Sequence, residues 1–251
     1  MRDDAVTVEE PLEIRIAGQA LAVLMRTPGE DFDLAAGFLL TEGVIRRPEE
    51  LGTLSYCPNA QPPNLENVVE VQFAEGVGFD LERFRRNFYA TSSCGICGKA
   101  SIEAIRAQAP ALAGDFRLRR EVLYLLNGKL RSAQALFART GSLHAAGLFS
   151  LEGELLVLRE DVGRHNAVDK VVGSFVRSGR PVPVPAVLMV SGRASFEIAQ
   201  KALMAGIGIV AAVSAPSTLA VDLARETGMT LVGFLRGESA NVYAGAERLS
   251  T

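Results

Sequence analysis

The 251-residue chain has no tryptophan, 6% aromatic residues, two histidines and three cysteines. So few aromatics argue against a sheet face on which nucleic-acid bases stack. Three cysteines in a chain of this length do not make a disulfide scaffold, so the thiols are expected to be reduced at rest. Charge of one sign is also lacking. The 26 Lys and Arg stand against 29 Asp and Glu, for a net charge of −3. This argues against a general nucleic-acid binder and leaves room for a local basic patch. No apolar run reaches membrane-spanning length; the longest, from Ala202 to Ala215, is broken by glycines. The opening Met1-Arg-Asp-Asp-Ala-Val has no apolar segment of the kind a secretory leader carries. A soluble cytoplasmic protein with no membrane and no nucleic-acid partner is the expectation. What is present is a hydrophobic fraction of 48%, ample for a buried core.

Periodicity divides the chain into two textures. In the first, Leu12 to Ile16 alternates as a strand, Ala17-Gly18-Gln19 forms a turn, and Ala20 to Met25 returns as the second strand of a hairpin. Asp31 to Glu42 has helical spacing and ends at Gly43. Residues 46–67 hold four prolines and read mostly as loop. Val68 to Phe73 alternates again, and Asp80 to Tyr89 is a charged, aromatic approach to the cysteines. Glu121 to Ala138 is partly helix-like, although Asn127-Gly128 equally suits a hairpin turn. From residue 143 the texture changes. An antiparallel pair, 143–149 and 155–158, is followed by alternating helices (166–176, 195–205, 218–226) and apolar strands (186–190, 207–213, 230–234). Such a pattern predicts an α/β chain with a sheet covered on both faces and largely parallel. A lobe boundary is placed near residue 138.

Two cysteines, Cys94 and Cys97, sit three apart in the polar run Thr91-Ser-Ser-Cys-Gly-Ile-Cys-Gly-Lys99, just ahead of the helical pattern Ser101-Ile-Glu-Ala-Ile-Arg106. Free backbone N–H groups, the positive helix end and Lys99 all favour thiolate, the nucleophilic form. Gly95 and Gly98 remove bulk around it. The pair is compatible with half a zinc site, a thiol–disulfide centre, a sulfur relay or two buried cysteines. Zinc wants a second Cys-x-x-Cys or a His pair, and neither is present. The polar flanks disfavour burial. The chemistry alone leaves a reactive thiol loop and does not name the reaction. Cys57, beside Pro58, has no partner in spacing and reads as structural.

In the second half each strand ends in a small polar loop: Glu160 to Asn166, Ser191 to Ser195, Ser214 to Thr218 and Arg236 to Ser239. The carboxyl ends of strands in open α/β sheets form the ligand crevice, and small residues ahead of a helix offer N–H groups to anions. Taken singly, Ser195, Ser217 and Thr218 are ordinary helix caps. Together with Arg164, Arg193 and Arg236 they point to a site for a phosphate-bearing ligand. His165 lies in the same loop and is a candidate site residue. His144 more readily reads as structural.

Several ordered stretches resemble one family. They are Thr91 to Gly98, Glu160-Asp-Val-Gly-Arg-His-Asn-Ala-Val-Asp-Lys170, Ser191-Gly-Arg-Ala-Ser195, Val213 to Val221 and Gly233-Phe-Leu-Arg-Gly237. Met25-Arg-Thr-Pro-Gly29 and Ala35 to Gly43 add to them. Together they resemble the FdhD family, sulfur-carrier accessory proteins for formate dehydrogenase, over nearly the whole chain. The resemblance implies a sulfurtransferase role. Sulfur is accepted as a persulfide from a cysteine desulfurase and passed to the molybdenum of bis(molybdopterin guanine dinucleotide), before that cofactor enters formate dehydrogenase. It implies Cys94 as the persulfide carrier and Cys97 as its partner thiol. The implied cofactor-binding stretch is Phe234, Leu235, Arg236, Gly237, Glu238 and Ser239. Arg193 and His165 join it, because the guanine dinucleotide arms carry pyrophosphates, and GDP becomes an analogue of the ligand. The implied architecture has two lobes. A small α+β lobe (1–138) carries the Cys-x-x-Cys loop, and a three-layer cytidine-deaminase-like lobe (139–251) has a mainly parallel sheet; the protein works as a homodimer. Deaminase chemistry is not implied. His144 is followed by Ala145-Ala146 and Cys94 is preceded by Ser93, so the zinc set is missing and no metal ligand is expected. The rival reading is a chaperone that delivers the cofactor without transferring sulfur.

Overall fold

The computed structural model describes residues 4–60, 65–78, 80, 103, 105–112 and 114–250. Cys94, Cys97 and the rest of their loop lie outside the described residues, as does most of the segment 80–89. Of the helix expected after the cysteines, Glu103 and residues 105–108 are described and are helical.

The first strands, β1 (Glu10–Ile16) and β2 (Gln19–Arg26), form the expected antiparallel hairpin. Ala17 and Gly18 both take positive φ, as tight two-residue hairpin turns require. Helix α1 (Asp31–Thr41) follows and is buried almost all round. Strand β3 (Leu51–Tyr56) lies inside the stretch expected to be loop. The prolines flank it rather than interrupt it. As an edge strand it is half-exposed and shows little apolar alternation. Strand β4 (Val68–Phe73) pairs antiparallel with β3 and parallel with β1, giving a four-stranded sheet ordered β2-β1-β4-β3.

After the short β5 (Leu118–Arg119), α2 (Arg120–Ala133) runs straight through Asn127-Gly128, so the hairpin alternative does not hold. Helix α3 (Ala135–Thr140) ends at Gly141, which has φ 69°. Strands β6 (His144–Phe149) and β7 (Leu155–Asp161) form the expected pair. They lead into α4 (Arg164–Val176), β8 (Val187–Val190), α5 (Phe196–Met204), β9 (Ile209–Ala212), α6 (Thr218–Thr227) and β10 (Thr230–Arg236). Strand β11 (Ser239–Ala244) was not expected; it folds back on β10 around Gly237. The last strand, β12 (Leu249–Ser250), pairs with β5.

The six-stranded sheet is ordered β11-β10-β9-β8-β6-β7. Its centre, β8-β9-β10, is parallel as expected. The flanks differ: β6 runs antiparallel to both β8 and β7, and β11 antiparallel to β10. The hairpins β6–β7 and β10–β11 need no crossover helix, and this makes the sheet mixed. Strands β7, β8, β9 and β10 still point the same way, so their carboxyl ends share one edge.

Alternation along the strands covers both faces of this sheet. Leu148, Leu188, Val190, Val210 and Leu231 join a core with α1, α4, α5 and α6. Phe149, Val187, Met189, Ile209 and Val232 join one with Leu123, Leu126 and Leu130 of α2. The first core also contains Leu12 and Ile14 of β1 and Leu34 and Leu39 of α1. One apolar cluster therefore runs through residues on both sides of position 138, and α2 covers the back of the later sheet.

The tightest contact is between α1 and α4. A Cβ at Gly37 would lie 1.8 Å from the Asp169 carbonyl oxygen, and one at Gly173 would lie 1.7 Å from that of Asp33. The two backbones touch, and no side chain fits between them. Gly37→Ala and Gly173→Ala are each expected to destabilise the fold by at least ~3 kcal/mol, the upper end for overpacking. Urea denaturation reads this directly. A loss below about 1 kcal/mol at both positions would contradict the crossing.

Candidate functional site

The site begins with how two turns are joined. Asp161, at the end of β7, and Lys170, on α4, are both fully buried, with Nζ 2.8 Å from Oδ2. Asp161 also accepts hydrogen bonds from the amides of Gly163 (2.8 Å) and Thr27 (3.1 Å) and from Asn166 Nδ2 (2.9 Å). Lys170 donates to the Thr27 carbonyl at 2.9 Å, the Val162 amide to Thr27 Oγ1 at 3.1 Å, and Asn166 Nδ2 to the Met25 carbonyl at 2.7 Å. Arg26, beside them, is held by a two-pronged bond to Asp31, 2.9 Å on each arm. The Tyr56 hydroxyl donates to the same carboxylate. Burial and the Asp31 charge push Tyr56 up to about 12. Thus the β2–α1 turn is plugged into the β7–α4 turn.

A second buried network lies further along α4. Lys201 donates to Asp169 (2.9 Å), Glu42 (2.7 Å) and Thr41 Oγ1 (3.0 Å), and Thr41 donates to Asp169 at 2.7 Å. Glu160 accepts from the amides of Leu136 and Phe137 and so seats α3. In the stretch Glu160–Lys170, the polar side chains of Glu160, Asp161, Asn166, Asp169 and Lys170 are thus occupied in holding the fold. Arg164 and His165, in the first turn of α4, are left facing the sheet edge.

The edge loops after β8, β9 and β10 are stitched side by side. The Ser214 amide donates to the Gly192 carbonyl (3.3 Å), that of Ser217 to Ala194 (3.0 Å) and that of Phe234 to Ser214 (3.2 Å). The β6 start is tied in by the Ala145 amide on Ser191 Oγ at 2.9 Å. A Cβ at Gly192 would lie 3.4 Å from His144 Nδ1 and 4.0 Å from Arg164 Cδ, so these three residues meet. His165 Nε2 lies 3.4 Å from Ser195 Oγ and 3.7 Å from Glu197. Burial, and next the Arg164 charge, push His165 down to about 4. The same two causes lower His144. Both imidazoles are neutral at pH 7.

The structure places the expected residues unevenly. Arg193, in the loop after β8, and Arg236, at the end of β10, are both exposed, with the loop after β9 stitched between them. Ser217 is an ordinary cap, accepting from the Ala220 amide. Ser195 makes no cap bond and faces His165 instead. Phe234 is 39% exposed and holds φ at 52°, a left-handed backbone uncommon for an aromatic residue. Leu235 is fully buried in the core on the α2 face, while Gly237, Glu238 and Ser239 are exposed in the following turn. Cys57 donates its amide to the Val68 carbonyl. Glu197 and Gly192 were not singled out from the sequence, since neither belongs to a spacing that signals chemistry. Arg164 opens α4, Arg193 precedes α5 and Arg236 closes β10; an arginine beside a helix start, as the first two are, is chemistry suited to an anion. Among the described residues, no cluster of His, Cys, Asp and Glu could hold a metal ion, and no helix is long and apolar enough to cross a membrane.

Comparison with known proteins covers the whole of this architecture. The model of the FdhD/NarQ family matches residues 7–250. A protein of Streptomyces avermitilis named sulfur carrier protein FdhD is 57% identical over 99% of this chain and 90% of its own length. One of Mycobacterium tuberculosis with the same name is 52% identical, over 99% of this chain and 93% of its own. The crystal structure of a candidate formate dehydrogenase accessory protein from Desulfotalea psychrophila superposes with a TM-score of 0.77. It is 27% identical, and the match covers 99% of this chain and 92% of that one.

Two outcomes follow from the geometry. Asp161→Ala strands the Lys170 ammonium in the interior and is expected to lose about 3–5 kcal/mol of stability in chemical denaturation. His165 makes stability pH-dependent. The unfolded imidazole takes up its proton near the ordinary value of 6.5, whereas the folded one resists until about 4. Stability is therefore lost as pH falls through that window. The melting temperature of His165→Asn should fall less steeply over the same range; parallel curves would refute the assignment.

Proposed function

The chain belongs to the FdhD/NarQ family, and from that membership we propose that it is a sulfur carrier working through Cys94. In this reading Cys94 thiolate attacks the outer sulfur of a cysteine desulfurase persulfide. The S–S bond of the donor breaks, the desulfurase thiolate leaves, and Cys94 carries the persulfide. Cys97 then either holds the terminal sulfur by hydrogen bonding or attacks Cys94 Sγ, releasing hydrosulfide and leaving a Cys94–Cys97 disulfide. The acceptor is the molybdenum of bis(molybdopterin guanine dinucleotide), before that cofactor enters formate dehydrogenase. The reading includes a homodimer in the cytoplasm. Both cysteines lie outside the described residues, and their roles rest on the Thr91–Gly98 motif that resembles the family.

The observation that carries the reading is the stitched sheet edge. Arg164 opens α4, Arg193 lies in the loop between β8 and α5, and Arg236 closes β10, so that two of the three stand beside helix starts. This suits a ligand with several phosphates, as the guanine dinucleotide arms are. The exposed ring of Phe234 stands on the same edge and offers a face on which a base can stack.

Intact mass after incubation with a cysteine desulfurase and cysteine is expected to show one added sulfur atom on the wild type and none on Cys94→Ala. Unchanged loading of the variant would remove Cys94 from the reaction. If Cys94→Ala still yields active formate dehydrogenase, the protein delivers cofactor without transferring sulfur. GDP is expected to bind saturably, with Arg236→Ala weakening it about tenfold or more, the effect of one charge-assisted bond.

A further inference from the structure

Arg164 is unusual among the arginines of the edge. Its Nε is enclosed and has no hydrogen-bond acceptor among the described residues, although the residue as a whole is partly exposed. A buried donor without an acceptor is costly and marks a place where a partner is missing. Imidazoles flank the guanidinium, His144 from the start of β6 and His165 from α4. Gly192 lies against His144 and Arg164 and carries no side chain that would fill the approach.

We propose that the Arg164 guanidinium is the seat of a phosphoryl group, and that His144 and His165 take up protons when that group arrives. The inference rests on the reading of this edge as a site for a phosphate-bearing ligand. In the free protein His165 faces Arg164 and Lys201 on the cationic side and Glu197 and Glu42 on the anionic side. His144 faces Arg164 and Asp161. Arg164 disfavours charge on both rings. A phosphoryl dianion neutralises Arg164 and supplies the acceptor its Nε–H lacks. It also adds a negative field at both imidazoles, so each binds a proton more readily. By linkage, the ligand binds more tightly as pH falls through the raised titrations of the bound state.

The chain has only two histidines, so its NMR spectrum holds two imidazole Hε1 signals, both from this site. The test follows both against pH in the full chain, alone, with inorganic pyrophosphate and with GDP. Calorimetry reads binding in parallel. Expected are two low titrations without ligand, both moved upward by either ligand. Arg164→Gln should raise both titrations without ligand and weaken binding about tenfold or more. Gly192→Val, which fills the approach and changes no charge, should weaken binding of both ligands.

GDP binding with both histidine titrations unmoved would overturn the inference and leave the phosphate edge standing elsewhere. Pyrophosphate moving both signals while GDP fails to bind would uphold the seat and overturn the nucleotide reading. If neither ligand binds, both fall.

Discussion

Backbone contact between α1 and α4 is the constraint on which the rest of the structure depends. Gly37 lies on the Asp169 carbonyl and Gly173 on that of Asp33, so neither helix can shift without a collision. Ion pairs frame the crossing. Asp33 is held by Arg159 at 2.8 Å and Arg177 at 2.6 Å, and Asp169 by Lys201 at 2.9 Å. The Lys201–Asp169 pair is buried, whereas Arg159 and Arg177 reach the buried Asp33 from partly exposed positions; such pairs add little net stability, but an arrangement that leaves either carboxylate unpaired in the interior is penalised. Here they fix the position of one helix on the other.

That position carries through to the edge. Helix α1 brings the four-stranded sheet with it, and the turn before α1 plugs into the turn before α4 through Thr27, Asp161 and Lys170. The first residues of α4 are thereby set against the β6 and β8 ends. Arg164 is placed by bonds it does not make itself, and His165 adds only its own contacts with Ser195 and Glu197. Positioning of this kind lets a site hold a charged group at a defined point without spending its own donors on the scaffold.

Much of this was legible in the residues. The hairpin, α1, the alternating second half and the carboxyl edge all follow from periodicity and from small polar residues at strand ends. What was not legible has identifiable causes. Strand β3 lies between prolines on a sheet edge, where half-exposure leaves no strong alternation. Asn127-Gly128 reads as a turn locally, but the apolar stripe Val122, Leu123, Leu126 and Leu130 packs on the sheet and overrides it. The Glu160–Lys170 stretch looks like a binding loop because it is dense in charge. Most of that charge turns inward, and only three-dimensional pairing reveals which two residues remain. Leu235 joins the same core as Val232, where strict alternation would turn it to the Leu231 face; the irregular register between Gly233 and Arg236, with left-handed Phe234 inside it, turns the side chain over.

Phe234 holds a further consequence. Left-handed backbone at a residue with a bulky side chain stores on the order of 1–2 kcal/mol, and glycine would relieve it at once. The ring is retained at that position nonetheless, half out in solvent. The folded chain therefore carries a local backbone cost at this rim, set against an aromatic surface that glycine would remove.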